Sequence, residues 1–313
     1  MYLNCHSYYS LRYGAFSEVE LLQLAIENNI ETLVLTDINN TSACMNFVQQ
    51  AKKLGIKPLI GVDFRNGNQQ QFIAIAKSNK GFENINSYLS SFLEAKKPIP
   101  NKPAYLEEVF IIYPFEKVLE LNLTSFKDYE FIGISIAEIN KLRFSYVKKY
   151  ENKIVIQQQV TIRNKKDFNA HRLLRAIDNN TLLSKLPTTE QCLETDKMHA
   201  AADLQKFYQE FPFIIENTKA VLQQCTIEFG FDDARENQNL QVYSNSFEQD
   251  CKMLLQLCDE MMHKRYPIPT QKVNDRLQKE LKVIIELKFV SFFLINYDII
   301  KYAKKNNFFH VGR

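Results

Sequence analysis

The chain of 313 residues is 45% hydrophobic and 24% charged, which excludes a disordered or fibrous protein and allows one large domain plus part of a second. Its 39 Lys and Arg against 36 Asp and Glu leave a net charge of +3, too weak a field to mark a nucleic-acid or membrane binder by charge alone. The six cysteines (5, 44, 192, 225, 251 and 258) form no CxxC pair and read as reduced core residues; no apolar run reaches the ~18 residues of a membrane span and no secretory leader follows Met1, so a cytoplasmic protein without a membrane partner is expected.

MYLNC opens the chain as a first strand. In SEVELLQLAIENN, Ser17 and Glu20 are spaced as a capping box ahead of apolar residues at helical period, so a helix follows. IETLVLTD is then a strand, ACMNFVQQAKKLG a helix stopped by Gly55, and IKPLIGVDF the next strand. The alternation runs on through a strand at 71–77, a helix at 81–93, strands at 109–114 and 130–136, a basic helix near 138–150 and the strand KIVIQQQV at 153–160. Strands that are apolar throughout are buried on both faces, which predicts a parallel sheet covered by helices; with about seven of them, the expected fold is α/β, a distorted seven-stranded β/α barrel. From 165 onward the pattern is helical. The polar stretch 232–246 marks a boundary, so the expected organisation is residues 1–232 with their closing helices, a linker at 233–246, and a helical part at 247–313.

In such barrels chemistry sits where strands end, and LTDINN at 35–40 places Asp37 at one such end and Ile38, which can bind nothing, beside it. Asp63 ends the following strand. The run from HSYYSLRYGAFSEVELL to KPLIGVDF resembles the opening of the polymerase and histidinol phosphatase (PHP) domain, a TIM-barrel-like fold, found at the start of bacterial C-family replicative DNA polymerases, the DNA polymerase III alpha subunits. LQKELKVIIELKFVSFFLINYDIIKYAKKNNFFHVGR resembles the segment leading into that family's palm, and FPFIIENTKAVLQQC the segment that closes its PHP domain. On this resemblance the chain is cut at the family's Gly-Arg-Gly-Ser loop, which begins at Gly312 and Arg313.

An intact PHP domain implies a three-metal cluster of His, Asp, Glu and Cys ligands that activates water against a phosphate ester. Here the family's His-x-His reads Asn4 and His6, its Thr-Asp-His-Gly reads Thr36, Asp37, Ile38 and Asn39, and its Glu is the shorter Asp63. Gln71 stands for a further His, Tyr113, Pro114 and Phe115 occupy a Cys or His region, and Gln159 and Thr161 replace Asp-x-His. No histidine occurs at all between 100 and 170. The resemblance therefore implies a vestigial, metal-free PHP site acting as a scaffold, with Asp37 and Asp63 reduced to hydrogen-bond acceptors and Ile38 a plug that fills an emptied cavity. The alternative is a residual single-metal phosphoesterase using His6, Asp37 and Asp63.

His171, His199 and His263 lie on or beside helices and read as structural. Lys301, Lys304, Lys305 and Arg313 with His310 form a local basic cluster, and His310, Gly312 and Arg313 are the expected contacts to phosphates of DNA or nucleotide. The family implies DNA and deoxynucleotides as substrates, Mg2+ in the palm of the full-length enzyme, and a proofreading exonuclease subunit as partner of the PHP domain. On this reading the palm carboxylates lie beyond Arg313, the fragment has no cofactor of its own, and it is inactive by itself.

Overall fold

The structure, a computed structural model, describes residues 1–231 and 242–309. The chain divides into two compact units, Met1–Phe229 and Gly230–Arg313. The expected linker at 233–246 lies outside the described residues as far as 241.

Unit one is built on a single sheet of eight strands: β1 (Tyr2–Cys5), β2 (Thr32–Leu35), β3 (Lys57–Asn66), β4 (Gln69–Ala76), β5 (Val109–Pro114), β6 (Glu130–Ile134), β7 (Ile154–Ile156) and β8 (Gln159–Val160). Their spatial order is β7-β6-β5-β4-β3-β2-β1-β8. The two strands at the ends of that order are consecutive in the chain, separated only by Gln157 and Gln158. The sheet therefore curls until one broken segment serves both edges: its first half pairs with β6 and its second half with β1. KIVIQQQV, expected as one strand, is two because Gln157 turns its side chain across Gly133 to bond Gln70 (Nε2 to Oε1, 2.7 Å) while Gln158 bonds the Thr195 carbonyl. Eight strands thus replace the expected seven.

The sheet is also not wholly parallel. β4 runs antiparallel to both β3 and β5, whereas β1, β2 and β3, and β5, β6 and β7, run parallel to their neighbours. Only Gly67 and Asn68 separate β3 from β4, with Gly67 at φ +56°, and a two-residue loop can join only antiparallel strands. The central strands are buried along almost their whole length, and each fully buried Leu, Ile, Val or Phe contributes about 1.5–3 kcal/mol.

Helices cover the sheet: α1 (Glu18–Glu27), α2 (Cys44–Lys53), α3 (Asn79–Ala95), α4 (Phe115–Glu120), α5 (Ile139–Leu142), α6 (Lys165–Asp178), α7 (Ala201–Phe207) and α8 (Pro212–Gln223). The expected capping box of α1 is formed, Ser17 and Glu20 each satisfying the other's backbone N–H, and Gly55 stands past the end of α2 at φ +71°. The long basic helix expected near 138–150 is absent. It breaks into 3-10 turns and the four-residue α5, because Ser145 accepts the Val147 N–H and Tyr150 leaves helical geometry. All six cysteines are free, and Cys5, Cys44, Cys192 and Cys225 are buried.

Unit two comprises α9 (Phe247–Arg265), α10 (Gln271–Glu286) and α11 (Val290–Lys305). Leu254, Leu281, Val290 and Leu294 form its buried core. Asp250 organises the entry to α9 by accepting the N–H groups of Tyr243 and Ser244, at 2.7 and 2.8 Å.

Candidate functional site

The parallel strands β1, β2 and β8 end together, and their next residues converge. His6 follows β1, Asp37 and Ile38 lie just past β2, and Thr161 follows β8. β3 runs further, so Asp63 lies beside the β2 end: Ile38 and Asp63 form a parallel bridge, and Asn39 N–H donates to the Asp63 carbonyl at 3.0 Å. Register also sets Asn4 opposite Gln159.

Two hydrogen-bond knots result. In the first, Asp37 accepts from Ser7 N–H (2.7 Å), Ser7 Oγ (2.8 Å) and Ser10 Oγ (2.7 Å), while Ser10 Oγ accepts from Ile38 N–H (3.0 Å). Both carboxylate oxygens are thereby committed to the loop 7–14, which can fold so tightly because residue 14 is glycine: a Cβ there would lie 1.8 Å from the Ser7 carbonyl oxygen. Burial raises the Asp37 carboxyl above the ordinary range despite these donors.

The second knot centres on Asp63, which is wholly buried. Its Oδ2 takes three donors: His6 Nε2 at 3.0 Å, Arg65 Nε at 2.9 Å and Arg65 Nη2 at 2.7 Å. Arg65 is itself only 5% exposed, donates to Gln159 Oε1 at 2.9 Å, and lies 4.9 Å from the centre of the Tyr13 ring. Gln159 passes the chain on to Asp196 Oδ2 at 3.1 Å. Burial alone would raise the Asp63 carboxyl, but the Arg65 charge and the hydrogen bonds from His6 and Arg65 outweigh it and hold the group at about 2. Burial pushes His6 below its ordinary value, so its ring is neutral. Nε2 then carries the proton toward the carboxylate, and Nδ1 accepts from Thr161 Oγ at 2.9 Å.

The donor set does not fit a metal. Asp63 Oδ1 is buried without a hydrogen-bond partner, which would suit a cation, but the guanidinium already sits on the other oxygen. A divalent ion about 5 Å from that charge would meet repulsion on the order of 6 kcal/mol at an effective dielectric of about 20. The His6 nitrogen that faces Asp63 is a donor, and among the described residues no three His, Cys, Asp or Glu side chains are grouped to hold an ion.

Of the residues singled out from sequence, His6, Asp63, Gln159 and Thr161 share one network, with Asn4 alongside, where its Oδ1 accepts from Thr36 Oγ at 3.2 Å. Asp37 and Ile38 belong to the adjoining knot; Asp37 bonds the loop before it and caps no following helix, since α2 has Ala43 as its N-cap. Ile38, expected to fill a cavity, is only partly buried and packs, as Phe168 does, against the cluster of Tyr13, Ile162 and Cys192. Gln71 stays apart: it is the extra residue where the β3–β4 register shifts, and its side chain bonds the Gln69 carbonyl. His310, Gly312 and Arg313 lie outside the described residues; Lys301, Lys304 and Lys305 are exposed on and beside the end of α11.

Sequence reasoning missed Arg65, Tyr13, Asp196 and the role of His171. His171 is buried; its Nε2 accepts from Cys192 N–H at 2.9 Å, so Nδ1–H donates to the Tyr13 carbonyl at 2.7 Å. A signal for Arg65 was available, since a charged residue two places after Asp63 in an apolar strand shares its face.

A curled, mostly parallel sheet whose strand ends gather a buried histidine and two buried aspartates is the architecture of a PHP-type barrel. The profile of the PHP domain matches residues 3–179, and the chain belongs to that family. Residues 252–313 match the profile of the bacterial DNA polymerase III alpha NTPase domain. The chain is 28% identical to the DNA polymerase III subunit alpha of Ureaplasma parvum serovar 3, over 97% of this chain and 29% of that protein. It is 26% identical to the same subunit of Bacillus subtilis strain 168 (97% and 30%) and 22% identical to an error-prone DNA polymerase of Symbiobacterium thermophilum (100% and 33%). The chain thus resembles the N-terminal PHP region of DNA polymerase III alpha subunits and spans about a third of the length of these relatives.

Proposed function

We propose that this chain is the N-terminal part of a DNA-directed DNA polymerase of the DNA polymerase III alpha type, acting in DNA replication, with a metal-free and catalytically inactive PHP domain. The observation that carries the second half is the Asp63–Arg65 pair, which puts a fixed positive charge where a ligand carboxylate would have to receive an ion. Relatives that carry the alpha-subunit name along nearly the whole chain support the first half. In this reading DNA and deoxynucleotides are the substrates of the full-length protein, and Mg2+ serves palm carboxylates beyond Arg313. The PHP domain braces the palm and offers a surface to partner subunits, a proofreading exonuclease among them.

Elemental analysis of the protein produced with excess zinc and manganese should find less than stoichiometric metal, and a chelator should leave its melting temperature unchanged. Stoichiometric metal, together with phosphate-ester hydrolysis lost in Asp37→Ala, would instead establish the single-metal phosphoesterase of His6, Asp37 and Asp63. Primer extension by the protein of the uninterrupted gene tests the polymerase assignment.

A further inference from the structure

We propose that Arg65 is the resident cation of this site: the pocket is still a cation site, and the cation is now covalently part of the chain. The inference rests on the metal-free reading above and goes beyond it, because an emptied site could equally have been filled with apolar side chains and left uncharged.

Three observations carry it. Asp63 remains an acid although it is wholly buried, and a buried carboxylate without a counter-charge is costly. Every donor to that carboxylate arrives on Oδ2, two of them from one guanidinium, while Oδ1 has none. The guanidinium is further enclosed by Gln159 Oε1 and the Tyr13 ring, a carbonyl-type oxygen and a π face, both of which attract cations. Asn68 Oδ1 adds a third oxygen toward Nη1 at 3.4 Å. His6, held by Thr161, supplies a neutral wall. Around Arg65 the chain has built a shell of acceptors, whereas the partly buried Ile38 packs beside it against the cluster of Tyr13, Ile162 and Cys192, with Tyr13 shared between the two.

The test is chemical rescue in the full chain. Arg65→Ala should lower the melting temperature by about 10 °C, the usual cost of orphaning a buried charge in a domain of this size. Millimolar guanidinium chloride, far below denaturing concentrations, should then raise the melting temperature of Arg65→Ala by several degrees. Tetramethylammonium chloride at equal ionic strength should not, and neither salt should raise that of the unaltered protein. Absence of a guanidinium-specific rise would overturn the proposal.

Arg65→Met and Asp63→Asn/Arg65→Met form a second arm. With both charges gone, the double variant should melt higher than the single one or, if the single variant fails to fold, should be the soluble one of the two. A double variant no better than Arg65→Met would show that Arg65 does not serve the Asp63 charge. Metal found in the unaltered protein would defeat the metal-free reading instead, so the two failures are distinguishable.

Discussion

Ile38 and Asp63 are direct neighbours, joined by a parallel backbone bridge that carries the β2–β3 pairing past the end of β2. The position that holds an alkane and the position whose carboxylate is held by Arg65 therefore lie side by side, and each change has to be tested against the other.

Restoring a ligand at only one of them should not restore a metal. Ile38→His places an imidazole beside Asp63 while Arg65 still holds Oδ2. Isothermal titration with zinc should show no stoichiometric binding, and the loss of Ile38 packing should lower stability by about 1–2 kcal/mol. Tight one-to-one zinc binding by this variant would contradict the electrostatic account of the site.

Asp37 is expected to be structural. Asp37→Ala leaves the Ser7 N–H and the two serine hydroxyls without their acceptor, at a cost of about 3 kcal/mol, or roughly 6–12 °C in melting temperature. Urea unfolding measures the loss. A neutral outcome would mean that water replaces the carboxylate and that the knot does not hold the loop.

Gly14→Ala should cost about 3 kcal/mol or more, because the added methyl would meet the Ser7 carbonyl and Ser7 is fixed by Asp37. Thermal melting of the variant, compared with an alanine replacement at the open position Gly67, separates crowding from backbone strain: Gly67 has φ +56° and nothing near its Cβ direction.

Acid should weaken unit one in two stages. His171 titrates ordinarily at 6.5 but at about 4 in the fold, through burial, so between those values the unfolded chain binds the extra proton and stability falls as pH falls. The shift corresponds to about 3 kcal/mol. Asp63, ordinarily at 3.8 and here at about 2, acts in the same direction: its contribution is present above 3.8 and is lost as pH falls toward 2. Asp196 opposes them, since burial raises it to about 6 and its ionisation between 3.8 and 6 favours the unfolded chain as pH rises. The comparison of His171→Gln with the unaltered protein at pH 7 and pH 4.5 isolates the first stage: the variant should lose less stability on acidification. Equal losses would show that His171 is not the group responsible.

Local signals in the sequence carried the elements well where they were self-contained. Ser17 and Glu20 cap α1 as expected, Gly55 takes the positive φ past α2, and the apolar strands β2, β3, β5 and β6 are buried as their composition required. The reversal of β4 ran against the parallel sheet expected, because buried apolar runs look alike in parallel and antiparallel sheets and that expectation took no account of the turn at Asn66, Gly67 and Asn68. The break at Gln157 and Gln158 was not legible, because it depends on Gly133 and Gln70, far away in the chain.

The same division applies to the site. By itself the sequence placed His6, Asp37 and Asp63 at the ends of periodic strands and set beside them Asn4, Ile38, Gln71, Gln159 and Thr161, which the resemblance reads as replacements for metal ligands. Only the tertiary structure decided what the survivors do. Thr161 reaches His6 across 155 residues of chain, and Gln159 reaches Arg65 across 94. A lost ligand is visible one residue at a time; a gained counter-ion is not, because its meaning lies in burial and in oxygens brought together by distant strands, and those exist only once the sheet has curled.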